Sequence, residues 1–188
     1  MESTGKTGLF GAAGAAGLSI ASALSAAGRP YRVIGRGRAA LHAAFGGDPN
    51  AEIVTWNPED PASIAAAAVG LQTAIYLVGL PYDQFASHPP LMAKTLAGLK
   101  AARVQRLILI GTVYPYGLAQ SRPVTEAHPR EPHTFKGKMR LAQENLVLDA
   151  HGQNGLETLV LRLPDFYGPG VERSLLHGVF EGAARVRR

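Results

Sequence analysis

Gly11, Gly14 and Gly17 recur at every third residue in a stretch whose other members are Ala12, Ala13, Ala15 and Ala16. A residue without Cβ lets the main chain turn tightly and lets a pyrophosphate approach the backbone. Free N–H groups and the positive end of a following helix then favour the phosphate charge. The three glycines, with Ala15 and Ala16 leading into the helix, are therefore candidate cofactor-binding residues. A Gly/Ala-rich helix contact or a flexible N-terminal segment would have the same composition, so the neighbours must decide. Downstream, Gly35-Arg36-Gly37-Arg38 stands where a site for NAD usually places a carboxylate against the adenosine ribose hydroxyls. Here there is no Asp or Glu but two guanidinium groups, which suit a ribose 2′-phosphate gripped by paired hydrogen bonds. Arg36 and Arg38 thus predict NADP in preference to NAD, the alternative being two solvated loop charges. Asn57, just past a third apolar run, can reach an adenine edge or cap the turn before Pro58.

The elements that must hold these residues follow from hydrophobic periodicity. Leu9-Phe10 leads into the glycines as a strand. Leu18, Ile20, Ala21, Leu24 and Ala27 recur at roughly helical spacing, and Gly28-Arg29-Pro30 ends that helix. Tyr31-Arg32-Val33-Ile34 is the next strand, so strand, glycine turn, helix and strand fit within about 30 residues, the unit of a parallel sheet with a right-handed crossover. The alternation continues with helices over 39–45, 62–69, 91–102, 134–150 and 171–184, and with strands over 53–56, 74–78, 107–110 and 157–162. Residues 74–78 are continuously apolar, as in a strand buried on both faces, and their exit, Gly79-Leu80-Pro81, lets backbone lie close to a cofactor, with Leu77, Val78 and Gly79 as candidate cofactor-binding residues. Residues 111–117 leave the fifth strand at a carboxyl end, where open α/β sheets bind ligands, and the polar, Pro-rich stretch 121–133 is a loop able to cover a site. Six alternating units predict an α/β fold with a doubly wound parallel sheet.

Bulk composition narrows the class. The 188 residues suffice for one core, and 46% hydrophobic with 18% charged residues reads as globular. Absence of cysteine excludes disulfides and thiolate metal sites and suits a cytoplasmic location. The net charge of +5 lies partly in Arg185, Arg187 and Arg188, with no basic stripe interleaved with aromatics, so no nucleic-acid partner is expected. Thr7 to Gly28 is uncharged, but its Ala, Gly and Ser content argues against a signal peptide or a membrane span. His128 and His133 lack a third ligand, so no metal is expected, and no G-x-S-x-G nucleophile elbow occurs.

Taken together, the residues resemble the NAD-dependent epimerase/dehydratase group of the extended short-chain dehydrogenase/reductase superfamily. The glycine spacing, Tyr76-Leu77-Val78-Gly79-Leu80, Thr112 four residues before Tyr116-Gly117, and Arg162-Leu163-Pro164-Asp165-Phe166-Tyr167-Gly168-Pro169 carry the likeness across nearly the whole chain. It implies a Rossmann fold, Thr112 at the family's catalytic Ser/Thr, and Pro164 and Tyr167 in the segment beside the nicotinamide. The departure falls on the family's Tyr-x-x-x-Lys pair. Counting back from Glu144 places Lys136 at its Tyr and Arg140 at its Lys, on one helical face. Arg140 can hold a ribose but will not readily shuttle a proton. Lys136 either serves as acid/base once desolvated or forms, with Arg140, an anion-binding face. Tyr114, Tyr116 and Tyr167 are substitute phenols or packing residues.

The resemblance also implies a cofactor domain over residues 1–170, with 171–188 as the start of a substrate region that is largely missing. Leu175, Leu176, Val179 and Phe180 would then be exposed or used in a homodimer. The expected activity is that of an NADP-dependent oxidoreductase or epimerase, with NAD as the other cofactor, acting at a carbinol or carbonyl carbon of a nucleotide sugar or related small molecule. Two alternatives stand beside it: a non-catalytic NADP-binding sensor, and a truncated product with little activity.

Overall fold

Short apolar runs and Ala/Leu-rich segments alternate along the chain as β1 (Lys6–Phe10), α1 (Ala15–Ala26), β2 (Tyr31–Gly35), α2 (Arg38–Phe45), β3 (Ala51–Thr55), α3 (Pro61–Ala68), β4 (Leu71–Tyr76), α4 (His88–Ala101), β5 (Arg106–Thr112), α5 (Phe135–Asp149) and β6 (Glu157–Leu163). This computed structural model describes residues 5–165, together with Val171 and Val179. The strands pair in parallel in the order β3-β2-β1-β4-β5-β6. The chain therefore steps outward from β1 to β3, returns past β1, and steps outward again from β4 to β6. The order reverses between β1 and β4, which is where a doubly wound Rossmann sheet opens a crevice at its carboxyl edge.

Strand alternation sends Leu9 to one face of the sheet and Phe10 to the other, and each face has its own core. Leu9, Val33, Leu41 and Phe45 pack with α1 and α2. Phe10, Ile64, Met92, Leu99, Leu107 and Val147 pack with α3, α4 and α5. Each fully buried Leu, Ile or Met contributes about 1.5–3 kcal/mol relative to exposure. A Cβ on Gly98 would lie 2.6 Å from Ile64 Cβ, so glycine is what lets α4 approach α3 closely.

Several boundaries differ from the sequence expectation. The fourth strand spans Leu71–Tyr76, so Leu77 and Val78 stand beyond its end; the Leu77 N–H still bonds the Phe10 carbonyl at 2.8 Å. The α4 helix begins at His88, with prolines in a first turn where missing N–H groups cost little. Arg38 is the first residue of α2, not a loop residue. Two 3-10 turns, Tyr82–Ser87 and Tyr114–Tyr116, are too short to show periodicity in the sequence. The outer strand β6 is not buried on both faces: Leu159 and Leu161 are exposed. Tyr167 and the helix expected over 171–184 lie outside the described residues, save Val171 and the exposed Val179. Among the described residues no helix is long and apolar enough to cross a membrane.

Candidate functional site

A cavity of about 1330 Å³ opens at the carboxyl ends of β1, β2, β3 and β4. Its wall begins with the glycine turn. Gly11 has φ +86°, and a Cβ there would lie 3.0 Å from the Val78 backbone, so the exits of β1 and β4 cross at a distance only glycine allows. Gly14 is the N-cap of α1, with no side-chain cap and no acidic residue in the first turn. A Cβ on Gly14 would meet nothing within 4 Å, so the uncapped helix end faces open space. Gly17 lines neither this cavity nor the smaller one beside it; a Cβ there would sit 2.2 Å from the Ala12 carbonyl oxygen, and its absence lets α1 rest on the turn. Uncapped N–H groups and a positive helix end in a roomy cleft fit the diphosphate of a dinucleotide.

Across the cavity, Arg36 and Gly37 follow β2, and no carboxylate stands between Gly35 and Arg38. Arg38 is not among the lining residues. Asn57 serves the turn: its Oδ1 accepts from the Glu59 N–H at 3.0 Å, and its own N–H donates to Ser63 Oγ at 2.8 Å. It lines the cavity as well. Leu77, Val78 and Gly79 form the floor beyond β4.

A second cavity, of about 280 Å³, adjoins the first through the shared Leu77. Ala16, Thr112, Tyr114, Arg140, Pro164 and Asp165 are among its lining residues, whereas Ala15 lines neither cavity. Thr112 ends β5, and its Oγ1 accepts from the Tyr114 N–H at 3.4 Å. Thr134 caps α5 by accepting from the Gly137 N–H at 3.1 Å, which starts the helix so that Lys136 and Arg140 project one turn apart. Gly137 makes this possible, since a Cβ would lie 2.6 Å from Pro132 Cβ and 2.8 Å from the Tyr114 carbonyl oxygen.

Arg140 donates from one terminal nitrogen to Gln143 Oε1 at 2.8 Å, and its guanidinium carbon lies 5.7 Å from the Phe85 ring centre. Its Nε is buried without a partner. Burial pulls the Arg140 pKa below the usual guanidinium range, against the opposing influence of Tyr76, Tyr114 and Glu144. Lys136 lines neither cavity: its Nζ sits 3.9 Å from the Tyr82 ring centre and 5.4 Å from that of Tyr114. Burial, then the Tyr82 phenol and the Asp165 carboxylate, hold the half-buried Tyr114 above the usual phenol range, with Arg140 pulling the other way. Tyr116 is buried and accepts from Arg162 at 3.1 Å, and that guanidinium also makes paired bonds to Glu144 at 2.9 and 3.0 Å. Behind the site His88 is fully buried with neither ring nitrogen bonded, and burial, assisted by Arg140, pushes it down to about 3. His128 is used by the loop, accepting from the Gln120 N–H at 2.9 Å, with Nδ1 at 2.8 Å from the Pro129 carbonyl.

Sequence reasoning missed Tyr82, Phe85, Gly137 and Asp165. Only Gly137 left a signal, a glycine inside a helical pattern. The others arrive from 3-10 turns and strand exits whose meeting is decided by the sheet.

The model of the NAD dependent epimerase/dehydratase family matches residues 9–186. No curated protein matches the chain. Among solved structures, UDP-galactose 4-epimerase is 18% identical with a TM-score of 0.79, over 96% of this chain and 63% of that one. DesIV, a dTDP-glucose 4,6-dehydratase from Streptomyces venezuelae, crystallised as a double mutant with NAD and DAU, is 19% identical with a TM-score of 0.81, over 96% and 62%. The Bordetella bronchiseptica enzyme WbmG in complex with NAD is 16% identical with a TM-score of 0.83, over 98% and 61%. The chain thus spans somewhat over three-fifths of the length of the structures it matches, and at such identities the likeness is one of fold.

Proposed function

We propose, from the premise that this chain belongs to the NAD dependent epimerase/dehydratase family, that it is an NADP-dependent oxidoreductase or epimerase acting at a carbinol or carbonyl carbon of a nucleotide sugar or a related small molecule. The observation that carries the reading is the junction at Leu77, where a glycine-walled cleft sized for a dinucleotide meets a smaller cavity lined by Thr112, Tyr114 and Arg140. When bound, the nicotinamide supplies or accepts a hydride at the substrate carbon. The chain's own residues do the rest. Backbone at Gly11 and Gly14 and the start of α1, with Ala15 and Ala16, hold the diphosphate. Arg36 takes the ribose 2′-phosphate, assisted by Arg38 at the head of α2. Asn57 borders the adenine end, while Leu77, Val78 and Gly79 bring backbone under the cofactor, and Pro164 closes its nicotinamide side. Thr112 hydrogen-bonds the substrate oxygen, and Arg140 and Lys136 keep the site cationic for a ribose hydroxyl or an anionic substrate group. The substrate class is supported by the sugar-nucleotide chemistry named for the solved relatives.

Binding of NADPH and NADH, followed by fluorescence, and turnover of UDP-glucose, UDP-galactose and dTDP-glucose test this reading. NADPH is expected to bind at least tenfold more tightly, with slow turnover of one sugar nucleotide. Equal affinities, or tighter NADH, overturn the NADP assignment, and failure to bind either overturns the whole. Lys136 in place of the family's tyrosine favours one second reading, a cofactor-binding sensor. Binding without turnover, unchanged in Lys136→Ala, would select it.

A further inference from the structure

The family's acid/base position is occupied by Lys136, yet the Lys136 ammonium does not line the cavity that holds Thr112. It lies against the faces of two aromatic rings, Tyr82 and Tyr114. A reaction that moves a hydride at a carbinol or carbonyl carbon must also move a proton at its oxygen, and a positioned group near that oxygen contributes about 10²–10⁴-fold. The phenols can be taken in turn. Tyr31 is tied to Asp48 at 2.6 Å on the opposite, amino-terminal edge of the sheet, and Tyr76 is fully buried. Tyr116 is buried and engaged by Arg162, and the exposed Tyr82 lines the larger cleft and shares a side-chain hydrogen bond with Tyr114, joining that phenol to the cleft. Among the described residues Tyr114 is the one phenol that lines the smaller cavity, two residues from Thr112 and bonded to its hydroxyl through the backbone N–H.

We propose that Tyr114 is the catalytic acid/base of this chain: its phenol, in the small cavity that Thr112 and Arg140 also line and with the Lys136 ammonium over its ring, exchanges the proton at the substrate oxygen. The inference rests on the functional reading above and names the proton carrier that reading lacks. In the reducing direction the Tyr114 O–H bond breaks and an O–H bond forms on the substrate's carbonyl oxygen. The carbonyl carbon gains the hydride that a reduced nicotinamide provides, so the carbonyl becomes a carbinol with one hydride added at carbon and one proton at oxygen. The phenolate left behind faces Lys136 and Arg140 and regains its proton from water. In the oxidising direction the same phenolate accepts the carbinol proton. Burial, the Tyr82 phenol with its hydrogen bond, and the Asp165 carboxylate hold the phenol above its ordinary range, which suits a donor at rest, while Arg140 pulls the other way and limits the cost of the phenolate. Lys136 and Arg140 would then do for Tyr114, from a neighbouring helix, what one lysine does for a tyrosine one turn away in the family pattern.

The test uses the full chain labelled with ¹³C at tyrosine Cζ, which reports each phenol's ionisation directly. Tyr114→Phe identifies the Tyr114 resonance by its loss. The positive nicotinamide of NADP⁺ should lower the pH at which Tyr114 ionises, relative to the NADPH complex, by about one unit, with the Tyr116 resonance unmoved. Tyr114→Phe should bind NADPH within twofold of the parent. Where the parent turns over a sugar nucleotide, the variant should lose at least 100-fold in kcat. A Tyr114 ionisation indifferent to cofactor redox state, or undiminished turnover in Tyr114→Phe, overturns this assignment while leaving the functional reading intact. A parent chain that binds no nicotinamide cofactor overturns both, and the binding measurement distinguishes the two failures.

Discussion

At the scale of single residues the site is defined by groups whose burial is at odds with their chemistry. His88 is the sharpest case, fully buried with both ring nitrogens unbonded and Arg140 nearby. Its folded pKa lies near 3, below the ordinary value of 6.5, so the unfolded chain takes up a proton there that the folded chain refuses. Stability from this group is complete above pH 6.5 and declines as pH falls from 6.5 toward 3. At pH 5 the loss should reach about 2 kcal/mol relative to pH 7.5, and His88→Leu should remove that part of the acid limb. Urea denaturation at the two pH values measures it, and an unchanged limb in the variant would show that other groups carry the acid sensitivity. Arg140 and Lys136 were legible as a pair on one helical face. Their surroundings were not, because Phe85, Tyr82 and Tyr114 come from turns without periodicity.

At the scale of elements, a buried carboxylate joins α5 to β6, in addition to the apolar packing of Val147 and Ala150. Glu144 receives Arg162 from β6 through paired bonds and faces Arg130 at 3.6 Å, while Arg162 also reaches Tyr116. Removing one partner strands the other charge where water is scarce, so Glu144→Ala should cost about 3–5 kcal/mol. Glu144→Gln, which keeps one acceptor, should cost less. Chemical denaturation of both variants checks the ranking, and a cost below about 1 kcal/mol for Glu144→Ala would mean that Arg162 finds solvent or another partner. Because α5 carries Lys136 and Arg140, the same substitution should loosen the smaller cavity. Sequence reading reached Glu144 only as a counting mark for the helix; its ion pair joins residues 18 apart in the chain and needs β6 beside α5.

At the scale of the whole molecule, the cleft lies where the two halves of the sheet diverge, so a ligand there contacts β1, β2, β3 and β4 together. A dinucleotide spanning that crevice should stabilise the fold as a unit. At a hundredfold excess over Kd, NADPH should add about 2.7 kcal/mol and raise the Tm by about 5–10 °C. Thermal scans with NADPH, with NADH and without cofactor measure this, and a Tm unmoved by either nucleotide would argue against a dinucleotide in the cleft.

The sequence by itself determined the alternation of strands and helices, the glycine turn, the lack of a carboxylate after β2 and the pairing of Lys136 and Arg140 on one helical face. All of these are local patterns, fixed by periodicity, steric demand and residue type within a few turns of chain. Tertiary structure decided that Arg36 lines the cleft and Arg38 does not, that Asn57 serves both turn and cleft, and that Leu77 joins two cavities. It also put the Lys136 ammonium over the rings of Tyr82 and Tyr114. These placements depend on strand order and on helix contacts between residues far apart in the chain. A doubly wound sheet gathers the carboxyl ends of its strands at one edge, so side chains that no spacing relates meet there.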